Sequence, residues 1–110
     1  MEVENFKELE VLNLSINKIS DIKALTNVDF KNLKILNLHN NNISDIKVLK
    51  RVDFKGLKIL NLSNNHIYNI NIFQKVNFKE LELLYLNNNE FDEDSSIIDY
   101  IKMRIKYFYY

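Results

Sequence analysis

The sequence of 110 residues contains no cysteine and a single glycine, Gly56. Without cysteine no disulfide and no thiolate metal site can form, and a chain of this kind is expected in a reducing compartment. One glycine does not suffice for the glycine-rich loops that cradle phosphate groups, and no EF-hand loop with its glycine turn is present. No serine lies in a nucleophile-elbow sequence. We therefore expect no enzymatic activity and no cofactor.

The chain also lacks an excess of charge of either sign, because 15 Lys and Arg residues balance 15 Asp and Glu residues. A neutral chain has no net attraction to nucleic acid or to an anionic membrane. No apolar run is long enough to span a bilayer, and the N-terminal sequence MEVENFKELE lacks the basic and apolar regions of a signal peptide. Asn-x-Ser sequons at Asn13 and Asn61 would put glycans on the predicted sheet of a secreted protein. These features predict a cytoplasmic protein with no nucleic-acid or membrane partner.

What the sequence does contain is the pattern Leu-x-x-Leu-x-Leu-x-x-Asn-x-(Ile/Phe), which occurs four times. The copies LEVLNLSINKI, LKILNLHNNNI, LKILNLSNNHI and LELLYLNNNEF begin at Leu9, Leu33, Leu57 and Leu81, so the period is 24 residues. A fixed period in this range is typical of a solenoid, in which each unit buries its apolar face against copies of itself. Alternation of Leu and other residues within each copy predicts a short strand, and successive strands must then lie parallel and in register.

These copies resemble the leucine-rich repeat family, over roughly residues 6 to 91. The segment that follows each strand, such as Asn17-x-Ile19-x-x-Ile22-x-x-Leu25, is similar to the short-repeat class of bacterial internalins and of the regulatory subunit of type-1 protein phosphatase. That class has a period of about 22 residues, shorter than the period here. The resemblance implies an α/β solenoid, a curved stack with a parallel β-sheet on the concave face and irregular or helical convex segments.

The resemblance also implies an inward-facing asparagine ladder, whose amides can bridge backbone groups of successive repeats. Its members are Asn17, Asn41, Asn65 and Asn89. The opposite wall of the core is predicted to consist of three further columns. They are Ile22, Ile46 and Ile70; Leu25, Leu49 and Phe73; and a stacked spine of Phe6, Phe30, Phe54 and Phe78.

The C-terminal segment, residues 93–110, departs from the repeat, since Asp94 stands where an apolar residue is expected. Ser96 and Asp99 fit a capping box, and four apolar residues fall on one stripe at helical spacing. These four are Ile97, Ile101, Ile105 and Phe108. We predict a capping helix that covers the last repeat and forms one domain with the array of residues 1–92. The N-terminal end has no such cap, which predicts self-association or further repeats there.

Leucine-rich repeats act mainly through exposed surfaces, so the resemblance implies a non-catalytic adaptor or regulatory subunit that binds a protein or peptide. The candidate binding residues are those that alternate with the strand leucines. They are Val11 and Asn13; Ile35, Asn37 and His39; Ile59, Asn61 and Ser63; and Leu83, Tyr85 and Asn87. The apolar members of this set, Val11, Ile35, Ile59 and Leu83, reflect either β propensity or a role in binding. Tyr85, the only aromatic residue among them, is the predicted anchor.

Other interpretations remain open. The repeats could be a purely structural terminal segment of a larger scaffold, or part of an exported, host-binding factor like the internalins. A metal site is not predicted, because His39 and His66 occupy different positions of the repeat. The acidic run Asp92, Glu93 and Asp94 is interpreted as favourable charge at a helix N-terminus rather than as a cation site.

Overall fold

A computed structural model describes residues 7–76 and 78–110. It contains one five-stranded parallel sheet in which the strands follow chain order. The strands are β1 (Val11–Asn13), β2 (Ile35–Asn37), β3 (Ile59–Asn61), β4 (Leu83–Tyr85) and β5 (Tyr107–Tyr109). Equivalent residues of successive repeats are paired, so Leu12 lies beside Leu36 and Leu36 beside Leu60. The predicted parallel sheet with one strand per repeat is confirmed, and β5 is an additional strand that the repeat pattern does not predict.

Short 3-10 helices form the opposite, convex side of the solenoid. They span Lys23–Asn27, Lys47–Arg51 and Asn71–Gln74. Each begins directly after a buried isoleucine of the predicted core. The first two of these helices each bury one leucine, and the third buries Ile72 and Phe73. Their lysine or asparagine residues are exposed, which makes the convex surface polar.

The core lies between the sheet and the 3-10 helices and is continuous along the stack. Leu36, Leu60 and Leu84 of the strands are completely buried, and the predicted isoleucine and leucine columns pack opposite them. In the aromatic spine, the Phe54 ring lies 5.9 Å from the ring centroids of both Phe30 and Phe78 in stacked geometry. The predicted spine is thus formed by three of its members, while Phe6 lies outside the described residues.

The asparagine ladder joins successive repeats. The Nδ2 group of Asn65 donates to the carbonyl oxygens of Leu38 (3.1 Å) and Leu62 (3.0 Å), and its Oδ1 accepts from the N–H of Ile43 (3.0 Å). Asn41 and Asn89 make the equivalent bonds. Asn17 is exposed, and its amide donates to carbonyl oxygens of its own repeat. Interior amides therefore replace backbone pairing where the chain leaves the sheet.

Three residues after the end of its strand, the backbone of every repeat adopts a left-handed conformation. The residues there are Ile16 (φ 57°), Asn40 (60°), Asn64 (56°) and Asn88 (60°). Asparagine tolerates this conformation, whereas a β-branched residue is strained in it. Ile16 is 69% exposed, so little burial offsets this strain.

The C-terminal segment differs from the prediction in its second half. Helix α1 spans Ser96–Arg104, and its N-cap is Ser95 rather than Ser96, because the Ser95 hydroxyl accepts the Ile97 N–H at 3.4 Å. Ile97, Ile98 and Ile101 are buried, in agreement with a capping role for the helix.

Ile105 and Phe108 do not lie on the helix, so the predicted stripe is wrong beyond residue 104. Ile105 is extended, and Phe108 lies in β5. The physical reason is the open edge of β4. Tyr107 N–H donates to the Glu82 carbonyl (2.9 Å) and Leu86 N–H donates to the Tyr109 carbonyl (2.7 Å), so an aromatic strand satisfies backbone groups that a longer helix would leave unpaired.

Phe54→Ala is expected to lower the free energy of unfolding by about 3–5 kcal/mol, since this central ring has aromatic neighbours on both sides and the cavity cannot collapse. Urea unfolding followed by circular dichroism measures the loss. Lys55→Ala, at an exposed position, is the control. A Phe54→Ala midpoint equal to that of the wild type would contradict the proposed importance of the spine.

Asn65→Leu is expected to destabilise far more than Asn42→Leu, because it strands interior carbonyl and N–H groups at about 1–3 kcal/mol for each group. Asn42 is exposed and serves as the matched control, whereas Asn64 is unsuitable because its φ is positive. Chemical denaturation of both variants provides the comparison. Equal losses would mean that the ladder amides contribute little.

Ile16→Asn is expected to stabilise the protein by about 1 kcal/mol, because asparagine relieves the left-handed strain and the equivalent position of the other repeats carries it. The melting temperature should rise by about 4–8 °C. Asn64→Ile is the reverse test and should lower it. An unchanged melting temperature for both variants would show that the strain is negligible.

Candidate protein-interaction surface on the concave sheet

The side chains that alternate with the buried leucines lie together on one side of the sheet, here called the concave face. Because the strands are in register, these side chains stand in three columns. The columns are Val11, Ile35, Ile59, Leu83 and Tyr107; Asn13, Asn37, Asn61, Tyr85 and Tyr109; and Ser15, His39, Ser63 and Asn87. All the predicted binding residues therefore share one face, with Ser15, Tyr107 and Tyr109 as additional members. Of these residues, Ser63 is buried (5% exposed).

The apolar column is only partly covered. Ile35, Ile59 and Leu83 are half-buried beside their neighbours in the sheet, while Val11 and Tyr107 at the two ends are about half exposed (52% and 50%). A continuous apolar strip that faces solvent across five strands can contact an apolar partner without a structural change.

The asparagine column is held by internal hydrogen bonds. The Oδ1 atoms of Asn13, Asn37 and Asn61 each accept, at 3.0 Å, the backbone N–H of the residue two positions later in the chain. Such Asx turns stabilise the exit from a strand. In repeats one and three a serine hydroxyl also donates to the same Oδ1. The amide oxygen of each residue is thus in use, and its Nδ2 has no partner in the described part of the chain.

In the fourth repeat, Tyr85 replaces this asparagine and stacks on Tyr109 of β5. The ring centroids lie 5.0 Å apart with an interplanar angle of 14°. The prediction that Tyr85 is the only aromatic residue on this face is therefore wrong, because residues 107–109 form a strand and are not part of the capping helix. The alternating Tyr-Phe-Tyr sequence, rich in β-forming residues, was the signal that could have revealed β5.

A shallow depression of about 580 Å³ lies beside the tyrosine pair. It is lined by polar groups of three repeats and by the C-terminal aromatic residues, among them His39, Ser63 and Asn87. The Asn87 Oδ1 is buried, and no hydrogen-bond donor reaches it from residues 7–76 or 78–110. A buried acceptor without a donor is unfavourable, so a ligand or water that supplies one would be stabilised here.

Two lysines contact tyrosine rings of the C-terminal segment. Lys102 Nζ lies 4.8 Å from the ring centroid of Tyr110, and Lys106 Nζ lies 5.3 Å from that of Tyr107. Hydrogen bonding to Tyr110 raises the pKa of Lys102 above its ordinary value, with smaller Coulombic contributions from Tyr110 and Asp99. Two cationic side chains therefore lie against these tyrosines, Lys102 from α1 and Lys106 from the residue before β5.

The other candidate residues lie apart from this surface or act locally. His39 is on the concave face, whereas His66 Nδ1 contacts Glu90 Oε2 at 2.6 Å on an exposed surface. Asp92 Oδ1 accepts the Asp94 N–H in the turn before α1. Within the described ranges no cluster of three or more His, Cys, Asp or Glu side chains could hold a metal ion. None of the described helices is long and apolar enough to cross a membrane.

Family comparisons agree with this architecture. The family description "Leucine Rich repeats (2 copies)" matches residues 7–51, and "Leucine Rich Repeat" matches residues 56–76, so that together they match more than half of the chain. The chain belongs to the leucine-rich repeat family. No curated protein sequence matches it significantly.

Among solved structures, the chain is similar to an internalin, InlF, from Listeria monocytogenes str. 4b F2365. The two share 29% sequence identity with a TM-score of 0.75 over 96% of this chain. The alignment covers 29% of the internalin chain, so this protein spans less than a third of that relative. The similarity extends the short-repeat resemblance to three dimensions.

Proposed function

We propose that this protein is a non-catalytic interaction module, an adaptor or regulatory subunit, that binds a protein or peptide on its concave face. The observation that carries the proposal is the stacked Tyr85–Tyr109 pair, which lies beside the apolar column and adds an aromatic surface to the concave face. Tyrosine is enriched among residues that dominate interface energies, because it combines a large apolar ring with a polar group.

The size of the concave face limits the partner. Five strands about 4.8 Å apart span about 19 Å, which accommodates one helix or one extended segment of a partner. This footprint is smaller than the standard interface of about 800 Å² per partner, so the affinity of the isolated sheet should be modest. A short peptide is therefore a suitable probe of the surface.

The cellular location and the type of partner form part of the proposal. The absence of cysteine supports a cytoplasmic protein, and type-1 phosphatase regulation is the most specific role that the short-repeat resemblance suggests. A second candidate is an exported factor of the internalin type, which the similarity to InlF favours. An antibody against the chain, applied to cytoplasmic and culture fractions of the source cells, separates these two candidates.

Binding is tested by selecting a random twelve-residue peptide library on the immobilised protein and measuring selected peptides by calorimetry. Tyr85→Ala should weaken binding by about 2 kcal/mol or more, roughly 30-fold. Tyr68→Ala is the matched control, because Tyr68 is an exposed tyrosine (60%) that is not part of the concave face. Lys47→Ala on the convex side should also leave affinity unchanged.

Each variant is melted first, so that loss of binding can be distinguished from loss of folding. If no peptide is enriched, or if enriched peptides bind Tyr85→Ala as well as wild type and lose binding in the convex variant, the concave-face proposal is wrong. A purely structural role for the repeats predicts the first of these outcomes.

A further inference from the structure

The asparagine column of the concave face presents hydrogen-bond donors without matching acceptors. Asn13, Asn37 and Asn61 are paired in register, so their side chains repeat at the strand spacing of about 4.8 Å. A carboxamide normally offers both donors and an acceptor. In this column each Oδ1 is already bonded to a backbone N–H at 3.0 Å, which holds the amide in one orientation with its NH₂ group free.

The surroundings of this donor row also favour a ligand rich in acceptors. The three columns of the concave face contain no Asp or Glu. The imidazole of His39 adds a further polar group beside Asn37, and the cationic Lys106 lies at the β5 end over the ring of Tyr107. Donors and positive charge thus occupy one surface, although the protein as a whole is neutral.

We propose that the concave face selects an acidic peptide segment, whose carboxylates accept hydrogen bonds from the Asn37 and Asn61 NH₂ groups while a neighbouring apolar side chain contacts the Tyr85–Tyr109 pair. This inference rests on the proposed function and specifies the chemistry of its partner. Hydrogen bonds to a carboxylate are roughly twice as strong as those to a neutral acceptor, so a fixed donor row favours Asp and Glu over Asn, Gln or Ser.

A nucleic-acid backbone is also an acceptor-rich anion, but the structure favours it less. The protein carries no net positive charge, and the row that borders the strands at their N-terminal ends has mixed charge, with Glu10 and Glu82 among Lys34, Lys58 and Lys106. Binding to a phosphate backbone depends on several Lys or Arg contacts, and the three columns themselves contain no Lys or Arg. A short acidic segment can place one or two carboxylates on the row and avoid these glutamates.

The discriminating variant is Asn61→Asp. An aspartate can retain the Oδ1 bonds to the N–H and hydroxyl of Ser63, so the Asx turn and the fold are preserved. The variant replaces the outward NH₂ donor with a negatively charged acceptor. Asn42→Asp makes the same charge change at an exposed position outside the three columns and is the matched control.

The experiment compares the twelve-residue peptide library selected on wild type and on each variant. Wild type should enrich Asp and Glu above their input frequency. A synthetic peptide from that selection should bind Asn61→Asp at least about tenfold more weakly, and its version with Asn and Gln in place of Asp and Glu should bind wild type weakly. Asn42→Asp should behave as wild type, and added salt should weaken the acidic peptide.

The possible failures are distinguishable. Peptides that depend on Tyr85 but show no enrichment of Asp or Glu would overturn this inference and leave the proposed function in place. Acidic peptides that bind Asn61→Asp as tightly as wild type would overturn the donor row. A fluorescent single-stranded oligonucleotide that binds as tightly as the acidic peptide under the same conditions would overturn the assignment to a peptide. If no peptide depends on Tyr85, the proposed function itself fails.

Discussion

The structure depends on hydrogen bonds that pass from each repeat to the next. A three-residue strand cannot be stable alone, and the backbone of each coil is satisfied by the neighbouring strand and by the ladder amide of the following repeat. Asn65 illustrates this dependence, since one buried side chain bonds to two repeats at once. Stability is therefore a property of the stack, and the central repeats gain more from it than the terminal ones.

The structure has two asparagine columns, the inner asparagine ladder and the outer column on the concave face, and the amide groups of the two columns form different hydrogen bonds. The inner column uses both the oxygen and the nitrogen of its amide, and its middle members Asn41 and Asn65 are almost fully buried (4% and 5% exposed). The outer column uses only its oxygen, to close the turn after the strand, and leaves its nitrogen at the surface. A structural requirement thus creates an oriented set of donors on the face that is available to a partner.

The C-terminal segment closes the stack and extends this face at the same time. Helix α1 covers the apolar end with Ile97, Ile98 and Ile101, and β5 pairs with the edge of β4. An unpaired edge next to the last repeat would invite association with other chains, so pairing it within the molecule removes that risk at β4. Because β5 is in register with the sheet, Tyr107 falls in the apolar column and Tyr109 in the asparagine column. Tyr109 stacks there on Tyr85.

The period, the strands, the inward leucines and the phenylalanine spine can be predicted from the sequence, because they follow from local spacing that repeats four times. It also indicated which side chains share the concave face, since side-chain direction alternates along a strand. The strand at residues 107–109 could not be predicted, because a short apolar run is compatible with both a helix and a strand. Its pairing with the edge of β4 depends on how the whole chain folds. The Tyr85–Tyr109 pair likewise arises from contact between two segments that are distant in the sequence. The orientation of the Asn37 and Asn61 NH₂ groups is set by hydrogen bonds between the side-chain oxygens and the turn after each strand.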